Sequence, residues 1–128
     1  MYSHNMVGTD DLAASKTFYD AIFTAVGGEA GMLDEERGRV TYLHKGGIYM
    51  VTKPINGEPA GVANGNTVGF LMENPEQCHA WHDAGVAAGG STAEDPPGLR
   101  VFGERKLYLA YLRDPTGHKL CALHWVAG

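Results

Sequence analysis

Apolar side chains recur at two spacings along this chain, and each spacing predicts its own element. In residues 12–26 (LAASKTFYDAIFTAV), Phe18, Ile22 and Val26 stand four apart, on one face of a helix. Thr9, Asp10 and Asp11 precede that stretch and offer a hydroxyl or carboxylate to cap the first turn. Gly27 and Gly28 follow it, and glycine ends helices in the left-handed conformation. Residues 2–8, 39–44 and 48–52 read as strands, with a turn at Lys45-Gly46-Gly47. The polar stretch 29–38 reads as an edge strand and turn.

Residues 53–66 (KPINGEPAGVANGN) are rich in Pro, Gly and Asn and read as a linker. Beyond it the order repeats. Residues 67–73 read as a strand. Residues 75–88 read as a helix, opened by Asn74-Pro75 and stopped by Gly89-Gly90. A loop at 91–99, strands at 100–104 and 107–112, a tight turn at Asp114-Pro115-Thr116-Gly117 and a last strand at 119–126 complete the chain.

A single offset carries Asp20 onto Asp83, Ala21 onto Ala84, Ala25 onto Ala88, Gly27 onto Gly90 and Phe18 onto Trp81. Longer offsets carry Tyr42-Leu43 onto Tyr111-Leu112 and Tyr49 onto Cys121. The identities alone are compatible with chance. The matching order of elements favours a duplicated unit that buries its apolar face against its copy. The expected organisation is one domain: a first module at 1–52, the linker at 53–66 and a second module at 67–128.

Composition narrows the field. With 128 residues and 44% apolar composition, the chain suits one folded core. A net charge of −5 and the lack of any Lys/Arg run argue against nucleic acid as a partner. No stretch approaches the ~20 apolar residues of a membrane span, so no membrane partner is expected. The first thirty residues lack a secretion signal, and Cys78 and Cys121 read as free thiols, so a cytoplasmic location is expected.

Three segments carry a family resemblance: the opening SHNMVGTDDLAASKTFYDAIF, the middle NGNTVGFLMENPEQCHAWHDAGVAAGG and the closing YLAYLRDPTGHKLCAL. Together they resemble the vicinal oxygen chelate superfamily of glyoxalases, bleomycin-resistance and fosfomycin-resistance proteins and extradiol dioxygenases. Arg113-Asp114-Pro115-Thr116-Gly117-His118 matches that family's closing turn, with His118 where Asn is usual. The resemblance implies an α+β fold of two βαβββ modules forming a cupped, incomplete β-barrel, often as a homodimer. In metal-using members, four strand positions supply His, Glu or Gln to a divalent metal. Carried over, those positions are His4, Tyr49, Thr67 and Cys121. Only His4 is a usual ligand, so the implied metal site is incomplete.

Strand alternation extends the implied pocket. If His4 faces the cup, so do Tyr2 and Met6. Tyr49 brings Val51, Thr67 brings Gly69 and Leu71, and Cys121 brings Leu123 and Trp125. Plainer readings stand beside these: a surface strand edge for His4, core packing for Tyr49 and an inert buried thiol for Cys121. His79 and His82 mimic a metal pair but suit a solvated helix face, and His44 suits an exposed turn. His118 falls in a turn and His124 on the helix-facing parity, so neither leads as a ligand.

Two functions follow from the sequence. The first is a glyoxalase/bleomycin-resistance-like protein that binds a small organic molecule in an apolar cup with a degenerate metal site. The alternative is a metal-dependent glyoxalase- or dioxygenase-like enzyme using His4 plus unusual ligands.

Overall fold

The computed structural model describes residues 1–126. It holds eleven elements: β1 (Asn5–Gly8), α1 (Leu12–Thr24), β2 (Met32–Asp34), β3 (Arg39–His44), β4 (Gly47–Thr52), β5 (Val68–Leu71), α2 (Pro75–Ala87), β6 (Ser91–Thr92), β7 (Gly98–Phe102), β8 (Arg105–Arg113) and β9 (Lys119–Trp125). They build two sheets and two helices, with no closed barrel among the described residues. Residues 53–67 carry neither helix nor strand.

The caps sit at the expected ends. Asp11 caps α1, its carboxylate accepting from the Ala14 N–H, and Asn74 caps α2 by accepting from Gln77. At the far end of α1 the chain turns at Gly27 with φ of +88°, a region that L side chains rarely enter. The segment expected as a loop at 91–99 instead carries β6 and the start of β7. Both lie along one edge of β8, Ser91 opposite Arg113 and Gly98 opposite Leu109. The polar Glu94-Asp95-Pro96-Pro97 stretch breaks that edge in two, because proline cannot donate to a ladder.

The first sheet runs β1-β4-β3-β2 and the second β5-β9-β8-β6, with β1 and β5 as free edge strands. In each sheet the first and last strands of the module pair in parallel: Met6 stands opposite Met50, and Gly69 opposite Cys121. Each helix lies on its own sheet, and the two helices pack on each other. Gly85 makes that approach possible. A β-carbon there would collide with Leu112 and press on Ile22 and Phe18 at 3.1 Å each.

One apolar cluster therefore joins the modules through their helix-facing sides. It includes Phe18, Tyr19, Ile22, Val40, Val51, Trp81, Leu112 and Leu120, each almost fully buried. Burying a side chain of this size is worth roughly 1.5–3 kcal/mol. The opposite sheet faces point away from the core. Leu107, Leu109 and Cys121 form a small cluster of their own on the outer side of the second sheet.

Candidate functional site

The joint between the modules is not filled along its whole length. Beyond the contact of the helices an open hollow of about 660 Å³ remains, within the roughly 300–1,000 Å³ common for small-molecule sites. Its walls come from both modules: Phe23 and Val26 at the end of α1, Tyr42 and Tyr49 on the first sheet, and Phe70 and Trp81 from the second module. These rings contact one another in ordered ways. Phe23 stacks on Tyr42 with centroids 4.7 Å apart, and Phe70 stands edge-on to Phe23 at 5.5 Å and to Tyr49 at 5.3 Å. Edge-to-face contact of this kind matches the positive ring edge to the negative ring face.

The polar groups of the hollow are largely committed. The Tyr49 hydroxyl donates to Tyr19 Oη at 2.8 Å, and Tyr19 donates to Asp114 Oδ2 at 2.6 Å. Burial, chiefly, holds both phenols protonated well above their ordinary pKa. The Tyr42 hydroxyl donates to Asp20 Oδ1 at 2.7 Å, and burial again raises its pKa. His124 Nδ1–H donates to the Met72 carbonyl at 3.2 Å. At the rim Lys45 and Glu73, one from each module, form an ion pair. His44 lines the wall beside them. Partial burial, then the Lys45 charge, lowers its pKa and favours the neutral ring.

Of the residues expected from the sequence, the hollow gathers His4, Tyr49, Gly69, Leu71 and Trp125, with Tyr2 beside His4. Met6, Val51, Thr67, Cys121 and Leu123 are not part of its lining. Val51 needs correction, and Tyr49 reaches the hollow from the helix-facing side of its strand rather than from the side that carries His4. Both face the helices and lie in the core, Tyr49 at 4% and Val51 at 1% exposure. The strand register gives the reason. Since Met6 pairs with Met50 as Gly69 pairs with Cys121, the symmetry mate of Cys121 is Met50, not Tyr49. A slip of one residue exchanges the two faces of a strand. Tyr42 and Tyr111 reveal the same slip. Tyr42 belongs to the core beside the helices, whereas Tyr111 packs with Cys121 on the outer face.

The family profile described as Glyoxalase/Bleomycin resistance protein/Dioxygenase superfamily matches residues 2–122. The chain belongs to this superfamily. Among solved structures, a glyoxalase/bleomycin resistance protein of Albidiferax ferrireducens T118 is 52% identical, over 97% of this chain and 98% of that one, with a TM-score of 0.92. The fosfomycin resistance protein FosX of Listeria monocytogenes shares the fold at 18% identity, over 100% and 93% of the two chains, with a TM-score of 0.70. Lactoylglutathione lyase of Agrobacterium tumefaciens shares it at 17% identity, over 94% and 91%, with a TM-score of 0.65. No curated protein matches the chain.

The metal site implied by the superfamily does not fit the residues present here. His4 is exposed, and its Nδ1 shares a hydrogen bond with the Ser3 hydroxyl. The Tyr49 phenol is locked into its bond with Tyr19, and burial holds its proton. Thr67 offers a hydroxyl that stays protonated. Cys121 packs with Leu107 and Leu109 on the outer face of the second sheet and is not part of the lining that holds His4. No three His, Cys, Asp or Glu side chains come together as a metal-binding group among the described residues.

Several lining residues escape sequence reasoning: Phe23, Phe70, Trp81, His44 and His124. Alternation assigns Phe70 and His124 to the helix-facing side, which reads as solid core. That side is hollow because the helices fill only part of the space between the sheets. The remaining histidines are structural. His79 and His82 tie α2 to the second module through Tyr108 and Thr92, and His118 Nε2–H donates to the Gly8 carbonyl at 2.7 Å across the modules.

Proposed function

We propose that this superfamily member is a small-molecule binding protein that holds an organic ligand in the hollow between its modules. The observation that carries this reading is the hollow itself: about 660 Å³, walled by aromatic side chains from both halves of the chain. Its mixture of apolar walls and few polar points is the usual profile of a ligand pocket. Binding is tested by a thermal-shift screen of small organic molecules against the wild type and Val68→Trp. Val68 is half-buried in the lining, and a tryptophan there fills part of the space. A concentration-dependent rise in Tm for the wild type that Val68→Trp abolishes supports the reading. Equal shifts in both proteins overturn it.

We further propose that the chain pairs with a second copy of itself. Each sheet turns an apolar face outward, with Met32, Leu43 and Ile48 exposed on the first and Leu71, Phe102 and Trp125 on the second. A twofold axis that sets the first sheet of one copy against the second sheet of the other covers all four faces at once. Sedimentation velocity tests this: the wild type runs as a dimer and Leu43→Glu as a monomer. A monomeric wild type at tens of micromolar refutes it. The two buried free thiols, Cys78 and Cys121, support a reducing compartment such as the cytoplasm. No helix among the described residues is long and apolar enough to cross a membrane.

A further inference from the structure

The lining of the hollow also specifies what kind of molecule it accepts. We infer that the ligand is a flat, uncharged aromatic compound that carries a neutral hydrogen-bonding group. The inference rests on the binding role proposed above and narrows it to a chemical class.

Flatness follows from the rings. Phe23 and Tyr42 stack on each other and back one wall, nearly fully buried. Phe70 stands edge-on to Phe23 and Tyr49 at 85° and 71° and keeps part of its ring open to the hollow, as Trp125 does more fully. Trp81 approaches Phe70 at 6.3 Å from the far side. A planar aromatic guest continues this lattice by stacking on one ring while meeting the edge of another. A saturated guest of equal size fills the volume but makes neither contact.

Neutrality follows from the charges. Lys45 and Glu73 are the charged side chains of the lining, and they are paired with each other. An anionic or cationic guest finds no unpaired opposite charge there and would lose its hydration beside apolar walls, which is costly. Tyr42 and Tyr49 spend their hydrogens on Asp20 and Tyr19, so the neutral hydrogen-bonding groups that face a guest are the Tyr2 phenol, the Asn5 amide and the imidazoles. His124 uses Nδ1 on Met72, leaving Nε2 to accept one hydrogen bond. His4 shares Nδ1 with the Ser3 hydroxyl, and its Nε2 accepts or donates one hydrogen bond according to the tautomer. One hydroxyl on the guest satisfies one such nitrogen.

The test compares three probes of similar size by isothermal titration calorimetry at pH 7.5: 2-naphthol, its 6-sulfonate and decahydro-2-naphthol. Each is titrated into the wild type and into Val68→Trp. The expected result is one site per chain for 2-naphthol, with Kd lower than those of the other two probes by on the order of tenfold or more, since the saturated alcohol loses one or two aromatic contacts and the sulfonate sheds its hydration beside apolar walls. Val68→Trp weakens 2-naphthol binding by a similar factor. If the sulfonate or the saturated alcohol binds as tightly, and Val68→Trp still weakens it, the chemical class is wrong while the binding role stands. If no probe binds, or the variant binds all three like the wild type, the inference and the binding role fail together.

Discussion

Tyr19 on α1 donates its phenolic hydrogen to Asp114, ninety-five residues further along the chain, at 2.6 Å. The bond joins the first module to the closing turn of the second, where Asp114 Oδ1 also accepts from the N–H groups of Thr116, Gly117 and His118. Asp114 is 4% exposed, and its partners Tyr19 and His118 are buried beside it, where water does not readily replace a carboxylate. Replacing it by alanine leaves the buried Tyr19 hydroxyl and the buried His118 N–H without an acceptor, at a cost of roughly 3–5 kcal/mol, whereas the Gly117 N–H keeps the backbone carbonyl of residue 114. Tyr49→Phe removes one donor from the same chain and costs about 1 kcal/mol. Urea unfolding is the measurement. Similar losses for the two variants would show that the turn does not depend on Asp114.

The buried phenols carry a pH dependence of defined sign. Burial raises the pKa values of Tyr19, Tyr42 and Tyr49 in the folded chain, and the Asp114 charge raises the first and last further, as Asp20 does for Tyr42. Their contribution to stability is complete below the unfolded tyrosine pKa near 10 and is lost as pH rises toward the folded values. Ultraviolet titration should show tyrosinate absorbance from this group only together with loss of ellipticity. Smooth ionisation of all the tyrosines in a protein that stays folded would contradict the network.

At the acid end the sign reverses. Burial opposes ionisation of Asp20, but the Gly31 N–H, Lys16 and the Tyr42 hydroxyl together outweigh it and lower the pKa. The stability this gives is present above about pH 4 and declines as pH falls through the folded value. Asp20→Asn is therefore less stable than the wild type at pH 7, and the gap narrows by pH 3. Thermal denaturation at both pH values tests it, and a gap independent of pH would remove the ionised carboxylate from the account.

Gly85→Val addresses the helix contact. Its side chain would drive into Leu112, Ile22 and Phe18, and overpacking of this kind costs about 3 kcal/mol. Gly69, with open space around its missing β-carbon, accepts alanine at far smaller cost. A fall in urea midpoint confined to Gly85→Val is the expected outcome.

The thiols should be inert. Burial pushes the Cys78 pKa up to about 11 and also raises that of Cys121. A colorimetric thiol reagent at pH 8 should label neither within minutes in the native protein and both at once in guanidinium. Rapid native labelling of Cys121 would mean that the outer face of the second sheet opens.

Much of the fold is legible in the sequence because local signals and packing agree there. Asp11 and Asn74 cap helices where residues of their type should, and the glycines after each helix end them. The site is less legible. The match of Tyr42-Leu43 to Tyr111-Leu112 is attractive as letters, yet the two tyrosines lie on opposite faces of their sheets, and the identities carry no parity. Tyr49 is then matched to Cys121, whose register mate is Met50 on the outward face. The hollow is invisible for a different reason. Nothing local to Phe70 or Trp81 tells whether the facing module closes on them or stops short.

Mapping a bound ligand on the chain tests the central claim most directly. Amide and indole shifts from two-dimensional NMR, recorded during titration with 2-naphthol, should move at Gly47, Ile48, Val68 to Met72 and the Trp81 and Trp125 side chains, all in the lining. The helix-facing Val68, Phe70 and Met72, with Trp81 on α2, decide the outcome: shifts absent there and gathered instead at Thr41, Met50, Tyr111 and Cys121, on the outward sheet faces, would place the ligand elsewhere and contradict the account.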